Sequence, residues 1–362
     1  MKNSLRLMLA AAAVAVIGTA FSGAALAAYN PDLGPFLTVE QTSYKVGAAT
    51  SVDFVIFSDP TNDATAKMQI FSPAGYSATL GHAPGTTLGQ AFALVKANAL
   101  GGAILPLAGP VVVGDPNNAT LKGAFTLCNG LPVASPDEIW VLNTQLQGQA
   151  VQVPAFVNKV GPYLIQQICL PAPANATFQA QLIEADYYVK GVFTNAGSSG
   201  GYQWDGVFTP YTGTTANPAG TVEYRSYSGL PSSLTLKRVK SKPSVVSFAG
   251  KLSIAGLDPS GVQVDLFASA KVLPAPGAIV AGTGKRVVRS KKLKSKGTFT
   301  ITRPKVKKKT YFQARFQNYG IQGSCDGASP TGKPIPCTGT DLAPLNSAQI
   351  KVLPPPKKKK HK

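Results

Sequence analysis

The sequence predicts an all-β protein: two or three immunoglobulin-like β-sandwich units after a signal peptide. Three observations carry this. Short apolar/polar alternations bounded by Gly, Pro, Asn, Asp and Ser recur along the chain, and helical periodicity is nearly absent. The chain has 362 residues, room for two or three domains at roughly 100–150 residues each. Hydrophobic residues make up 44% and charged residues 14%, a balance that excludes wholesale disorder.

Residues 1–27 read as the signal peptide. Lys2 and Arg6 precede an uncharged run from Leu7 to Phe21, and Ala25-Leu26-Ala27 offers the small residues that a signal peptidase reads. Cleavage is placed after Ala27. A membrane anchor competes, since Leu7 to Ala28 could just span a bilayer. The Ala- and Gly-rich composition favours the signal peptide, and the mature chain is expected to be exported.

Residues 28–113 read as a first sandwich unit, with strands at 50–57 (TSVDFVIF) and 66–71 (AKMQIF). The stretch 88–100 places Leu88, Phe92 and Val95 on one helical face, but flanking glycines favour a strand. The turn residues from Gly114 to Asn118 then mark a boundary.

Residues 114–236 read as a second unit, with strands at 177–183 and 221–227. Nine of the chain's 30 aromatic residues fall between Tyr187 and Tyr227. A near-repeat, Y-x-x-x-G-V-F-T, begins at Tyr187 and again at Tyr202. Joined by Asn195 to Gly201, its copies would form a hairpin. The aromatics fit a packed core. They also fit an exposed platform for a polysaccharide, with Tyr202 and Trp204 as candidate ligand residues.

Residues 237–353 read as a basic third unit, closed by a Pro/Lys tail at 354–362. Between 28 and 236 there are seven basic and twelve acidic residues; between 237 and 362 there are 26 basic and four acidic. Such asymmetry points to different partners for the two parts. The bases come in bursts beside strand-like segments, among them Lys291, Lys292, Lys294 and Lys296, and then Lys307, Lys308 and Lys309. The plain reading is a surface kept soluble by like charge. The sharper one is an anionic partner, an envelope polymer or lipid surface. Export and the absence of RNP, zinc-finger or helix-turn-helix patterns argue against nucleic acid.

The segments GKLSI (250–254), GVQVDL (261–266), KGTFTI (296–301) and KTYFQARF (309–316) follow in an order that resembles bacterial immunoglobulin-like and carboxypeptidase-regulatory-like sandwich modules. The whole layout is similar to uncharacterised exported envelope proteins of actinobacteria. The resemblance covers under a third of the chain. It implies a noncatalytic surface module and carries no functional residues across.

The four cysteines, Cys128, Cys169, Cys325 and Cys337, suit an oxidising compartment. Proximity favours Cys128–Cys169 and Cys325–Cys337. A zinc site would need a C-x-x-C spacing that is missing.

Catalytic motifs are sparse. His82 lies in a Gly/Pro turn with no catalytic motif beside it. Glu184 and Asp186 would share one strand face and are the best acid/base candidates for a glycoside hydrolase; Asp137 and Glu138 would point to opposite faces. Asp59 to Asp63 fits a turn better than a calcium loop. No P-loop or dinucleotide fingerprint is present, and no cofactor is expected. The expected function is thus a noncatalytic exported protein held at the envelope by its basic unit. The rivals are a carbohydrate-binding protein and, behind it, the hydrolase.

Overall fold

The computed structural model describes residues 29–30, 32–128, 135–242, 244–275, 283–318, 332 and 335–355. The expected signal peptide, Cys325 and the tail from residue 356 lie outside them. The protein is all-β, and it divides into two compact units. The first comprises Leu26–Pro231 with Asn318–Ala343, and the second Ser232–Gln317 with Pro344–Lys362.

The first unit contains β1 (Phe36–Gln41), β2 (Ala49–Phe57), β3 (Thr65–Phe71), β4 (Ser77–Ala78), β5 (Thr87–Ala97), β6 (Ala103–Val113), β7 (Glu138–Leu146), β8 (Gln149–Val160), β9 (Tyr163–Cys169), β10 (Ala180–Thr194), β11 (Gly200–Thr212), β12 (Thr215–Ala216) and β13 (Val222–Leu230). Antiparallel register partners link them in the order β1–β2–β10–β5–β6–β7–β8–β9–β3–β11–β13. The order turns back on itself, because the Val39 amide of β1 donates to Ser226 Oγ of β13 at 2.9 Å. The result is a rolled, sandwich-like sheet around one interior. Alternation builds it locally: on β10, Gln181, Ile183, Ala185, Tyr187 and Val189 are buried and the residues between them are not.

This wrapping corrects two expectations. Residues 28–113 and 114–236 do not form separate units, because β10 pairs with β2 and β5 while β3 lies between β9 and β11. The near-repeat strands do not form a hairpin either. β10 and β11 take separate places in the order, and Asn195 in the turn between them donates to the Ser43 and Lys45 carbonyls at 2.9 Å.

The 88–100 stretch is strand up to Ala97, as the glycines suggested. The alternation reading passed over α1 (Ala119–Leu127), which opens where Asn118 Oδ1 caps the Thr120 and Leu121 amides. Leu121 of α1 and Cys128 pack with Ile139, Val141 and Phe156. The Cys128–Cys169 disulfide closes across this cluster with a Cα separation of 5.6 Å. Cys337 is also disulfide-bonded.

The second unit contains β14 (Ser232–Val239), β15 (Val245–Ile254), β16 (Asp265–Ser269), β17 (Lys285–Arg289), β18 (Thr298–Pro304), β19 (Thr310–Asn318), the end of β20 (Cys337–Asn346) and β21 (Ile350–Val352). One sheet is β14–β15–β18 and the other β17–β16–β19–β21. Three strands packed on four is an immunoglobulin-like sandwich. Its core joins Phe248 of β15 to Phe312 of β19, with ring centroids 5.0 Å apart. The residues of β20 up to Ala343 belong to the first unit, where they run parallel to β13.

Candidate functional site

The lysine bursts sit on two turns at opposite ends of β18. Lys291, Lys292, Lys294 and Lys296 are exposed, while Leu293 between them is buried. The Leu293 amide donates to the Val262 carbonyl at 2.8 Å, so the turn is held by its backbone and its side chains are left to solvent. Gly297 closes the turn with φ +66°. Its amide donates to Lys294 O at 2.8 Å, and a Cβ there would lie 2.1 Å from the Leu252 carbonyl oxygen. Only glycine fits that position.

Lys305, Lys307, Lys308 and Lys309 repeat the device at the other end, with buried Val306 as the anchor. Thr310 Oγ1 donates to Lys308 O at 2.9 Å, and Lys309 Nζ lies 5.8 Å from the Tyr311 ring centroid. β18 spans seven residues, so at about 3.3 Å per residue the two clusters stand roughly 20 Å apart.

The outer face of β14–β15–β18 connects them. Register places Thr235, Lys251 and Thr298 in one row and Lys237, Ala249 and Thr300 in the next. Thr298, Thr300, Thr302, Lys237 and Lys251 are all exposed. The second unit holds only two acids, Asp258 and Asp265. Asp258 Oδ1 caps its own turn, accepting from Ser260 N and Oγ at 2.9 and 2.8 Å. Asp265 is buried under Arg289, which donates through two nitrogens at 2.7 and 2.9 Å. The strands of the face carry no acid, and exposed Asp258 stands outside it, on the loop whose Gly261 amide donates to the Leu293 carbonyl at 2.9 Å.

The aromatic candidates divide. Trp204 is fully buried, its ring 5.5 Å from Phe54, 5.4 Å from Phe193 and 5.3 Å from Tyr76. It is a core residue, and the exposed platform expected of it is not formed. Tyr202 is half-buried, and its hydroxyl donates to Ser198 O at 2.8 Å.

The acidic candidates also sort by geometry. Glu184 lies across from Phe57 and Leu94, and Asp186 from Val55 and Phe92, so the register sets apolar residues beside both. Asp137 Oδ2 accepts the Lys159 amide at 2.7 Å. A partnership invisible in the sequence joins Glu138 to His82. Glu138 Oε1 accepts from Trp140 Nε1 at 2.6 Å; Oε2 accepts the Gly81 and His82 amides at 2.7 and 2.8 Å and lies 3.0 Å from His82 Nδ1. Both oxygens are engaged, and Oε2 fastens the 81–82 loop to β7.

A second buried charge group involves Arg225, Glu223 and Asp205. Arg225 Nε donates to Glu223 Oε1 at 2.6 Å and stands 2.8 Å from Asp205 Oδ1, all three residues being buried. Burial pushes the Asp205 carboxyl up to about 7, against the pull of Arg225 and with a further push from Glu223.

No protein-family model matches the chain, and no curated protein is detectably similar to it.

Proposed function

We propose that this chain is an exported, noncatalytic β-sandwich protein whose basic unit binds an anionic polymer of the cell envelope by distributed charge. The observation that carries the reading is the pair of lysine clusters at either end of β18, joined by an acid-free Thr/Lys face. At 0.15 M salt an exposed charge is felt over about 8 Å, less than half the separation of the clusters. A small anion senses one cluster, whereas a long polyanion or charged surface engages both and gains by avidity. Lysine, a hydrated point charge, suits such contacts better than shaped recognition. The expected signal peptide and the Cys128–Cys169 disulfide support export.

The test uses the mature full-length chain on an immobilised anionic polymer, eluted with salt. Glutamine replaces lysine at 291, 292, 294 and 296, at 307, 308 and 309, or at all seven. Each partial set should shift elution to lower salt, and the full set should shift it furthest. Salt-independent retention, or complete loss from one set alone, would contradict distributed binding. The polysaccharide reading loses Trp204 and keeps only the half-buried Tyr202.

A further inference from the structure

The interior of the first unit is filled unevenly. Between β2, β10 and β11 it is packed with Phe54, Tyr187, Phe193 and Trp204, whose ring centroids lie 5.0–6.0 Å apart. Towards β5–β9 it leaves a cavity of about 160 Å³. Alanine makes the space. Ala93 and Ala185 stand opposite each other in the β5–β10 register, Ala91 stands opposite Tyr187, and all three line the cavity. Strands of this length usually carry larger β-branched residues at buried positions.

We propose that this cavity is a binding site for a small apolar molecule, a single aromatic ring or a hydrocarbon chain of about six carbons. Size is the first argument: an apolar cavity of about 150 Å³ takes up benzene. Wall chemistry is the second. No residue lining the cavity has a charged side chain; of its polar side chains Tyr187, Thr144, Gln181 and Thr65 are engaged within the protein, and Thr177 stands exposed at the rim. The Tyr187 hydroxyl donates to Gln166 Oε1 at 2.9 Å, Thr144 Oγ1 to the Val151 carbonyl at 3.0 Å, and Gln181 Nε2 to the Asn62 carbonyl at 2.8 Å. Thr65 Oγ1 accepts from the Tyr29 hydroxyl at 3.0 Å. Burial holds the Tyr187 phenol well above its ordinary pKa, so that wall stays neutral. A carboxylate or sugar entering here would lose its hydration and find no spare partner.

The third argument is the segment at the mouth of the cavity, where lining residues Pro171 and Thr177 are exposed and leave the space partly open to solvent. Ala176 and Thr177 line it, and the next two residues, Phe178 and Gln179, adopt φ of +55° and +51°. A bulky residue in the left-handed region is held there by its surroundings. Phe178 packs on Val95, Leu107 and Leu146, and Asn98 Nδ2 donates to the Gln179 carbonyl at 3.2 Å. A small apolar molecule can therefore enter past this rim without any displacement of Phe178.

The test uses the full-length mature chain with benzene and n-hexane as probes and glucose as a polar control. Saturating benzene should raise the Tm by roughly 2–5 °C and shift the methyl resonances of Ala93, Ala185 and Val95. Ala185→Leu or Ala93→Leu should fill the space and abolish both effects. Equal Tm shifts in the wild type and both leucine variants would overturn the site, as would a matching shift with glucose. A xenon-pressurised crystal reads the same question without a variant: density beside Ala93 and Ala185 supports the site, and none there overturns it.

Discussion

Among the described residues, six of the first unit's thirteen acids are buried, namely Glu40, Asp53, Glu138, Asp205, Glu223 and Asp341, whereas every described lysine of the second unit is exposed. Setting the buried groups aside, Arg225 included, leaves the described residues of the first unit near balance, with seven acids against six bases. The second unit holds 25 bases against two acids, one of them beneath arginines. The acidic excess of the first unit is thus largely structural, while the described lysines of the second face solvent. Net charge counted along a sequence cannot separate these uses; only the outward charge acts on a partner.

The largest effect should come from opening the inward charge group. Arg225→Met leaves Glu223 and Asp205 buried without their counter-ion, and stability should fall by about 3–5 kcal/mol in urea unfolding. A loss below about 1 kcal/mol would mean these charges behave as surface charges do, and the contrast between the units would fail. Asp265→Asn makes the matching change in the second unit. Arg289 and Arg286 are 47% and 39% exposed, so they can return to water. The expected loss is smaller, about 1.5–3 kcal/mol for the charge-assisted bonds.

Asp205 gives a pH signature. Its folded pKa of about 7 lies above the ordinary carboxyl value, so the folded state holds the proton more tightly. That contribution is present in full below the unfolded pKa and is lost as pH rises through about 7. Asp205→Asn should flatten this decline between roughly pH 4 and 7 in a Tm-against-pH series, and an unchanged slope would remove Asp205 as its source. The smallest effect on folding belongs to the outward charges. Each Lys→Gln at 307, 308 and 309 should change stability by no more than about 0.5 kcal/mol while reducing polyanion retention.

The fold class was legible because alternation is local. The predicted strands at 50–57 and 66–71 fall within a residue of β2 and β3, the segment 250–254 lies within β15, and 309–316 falls within two residues of β19. The Cys128–Cys169 pair was legible from proximity. Strand partners were not, because pairing β5 with β10 joins segments some ninety residues apart and no local pattern specifies it. The turn residues at 114–118 therefore looked like a boundary, although they lead into the capped helix α1. The lysine clusters were legible as charge, but their position at opposite ends of one strand was not. Trp204 showed the limit most clearly: its spacing fits a core or a platform equally, and only the long-range order places it against Phe54.

The return of residues 318–343 to the first unit changes what can be cut from this protein. The backbone passes between the units three times, at 231–232, 317–318 and 343–344. A protease nicking the first crossing severs the chain but leaves β13 still paired with the strand that starts at Cys337. Expressing 232–362 alone would strand that segment without its neighbour, and ending the chain at 231 would leave β13 with a bare edge. During synthesis the first unit emerges early, yet it waits for a strand made more than a hundred residues later. A self-standing version of the basic unit therefore requires excising 318–343 and rejoining the chain across the gap.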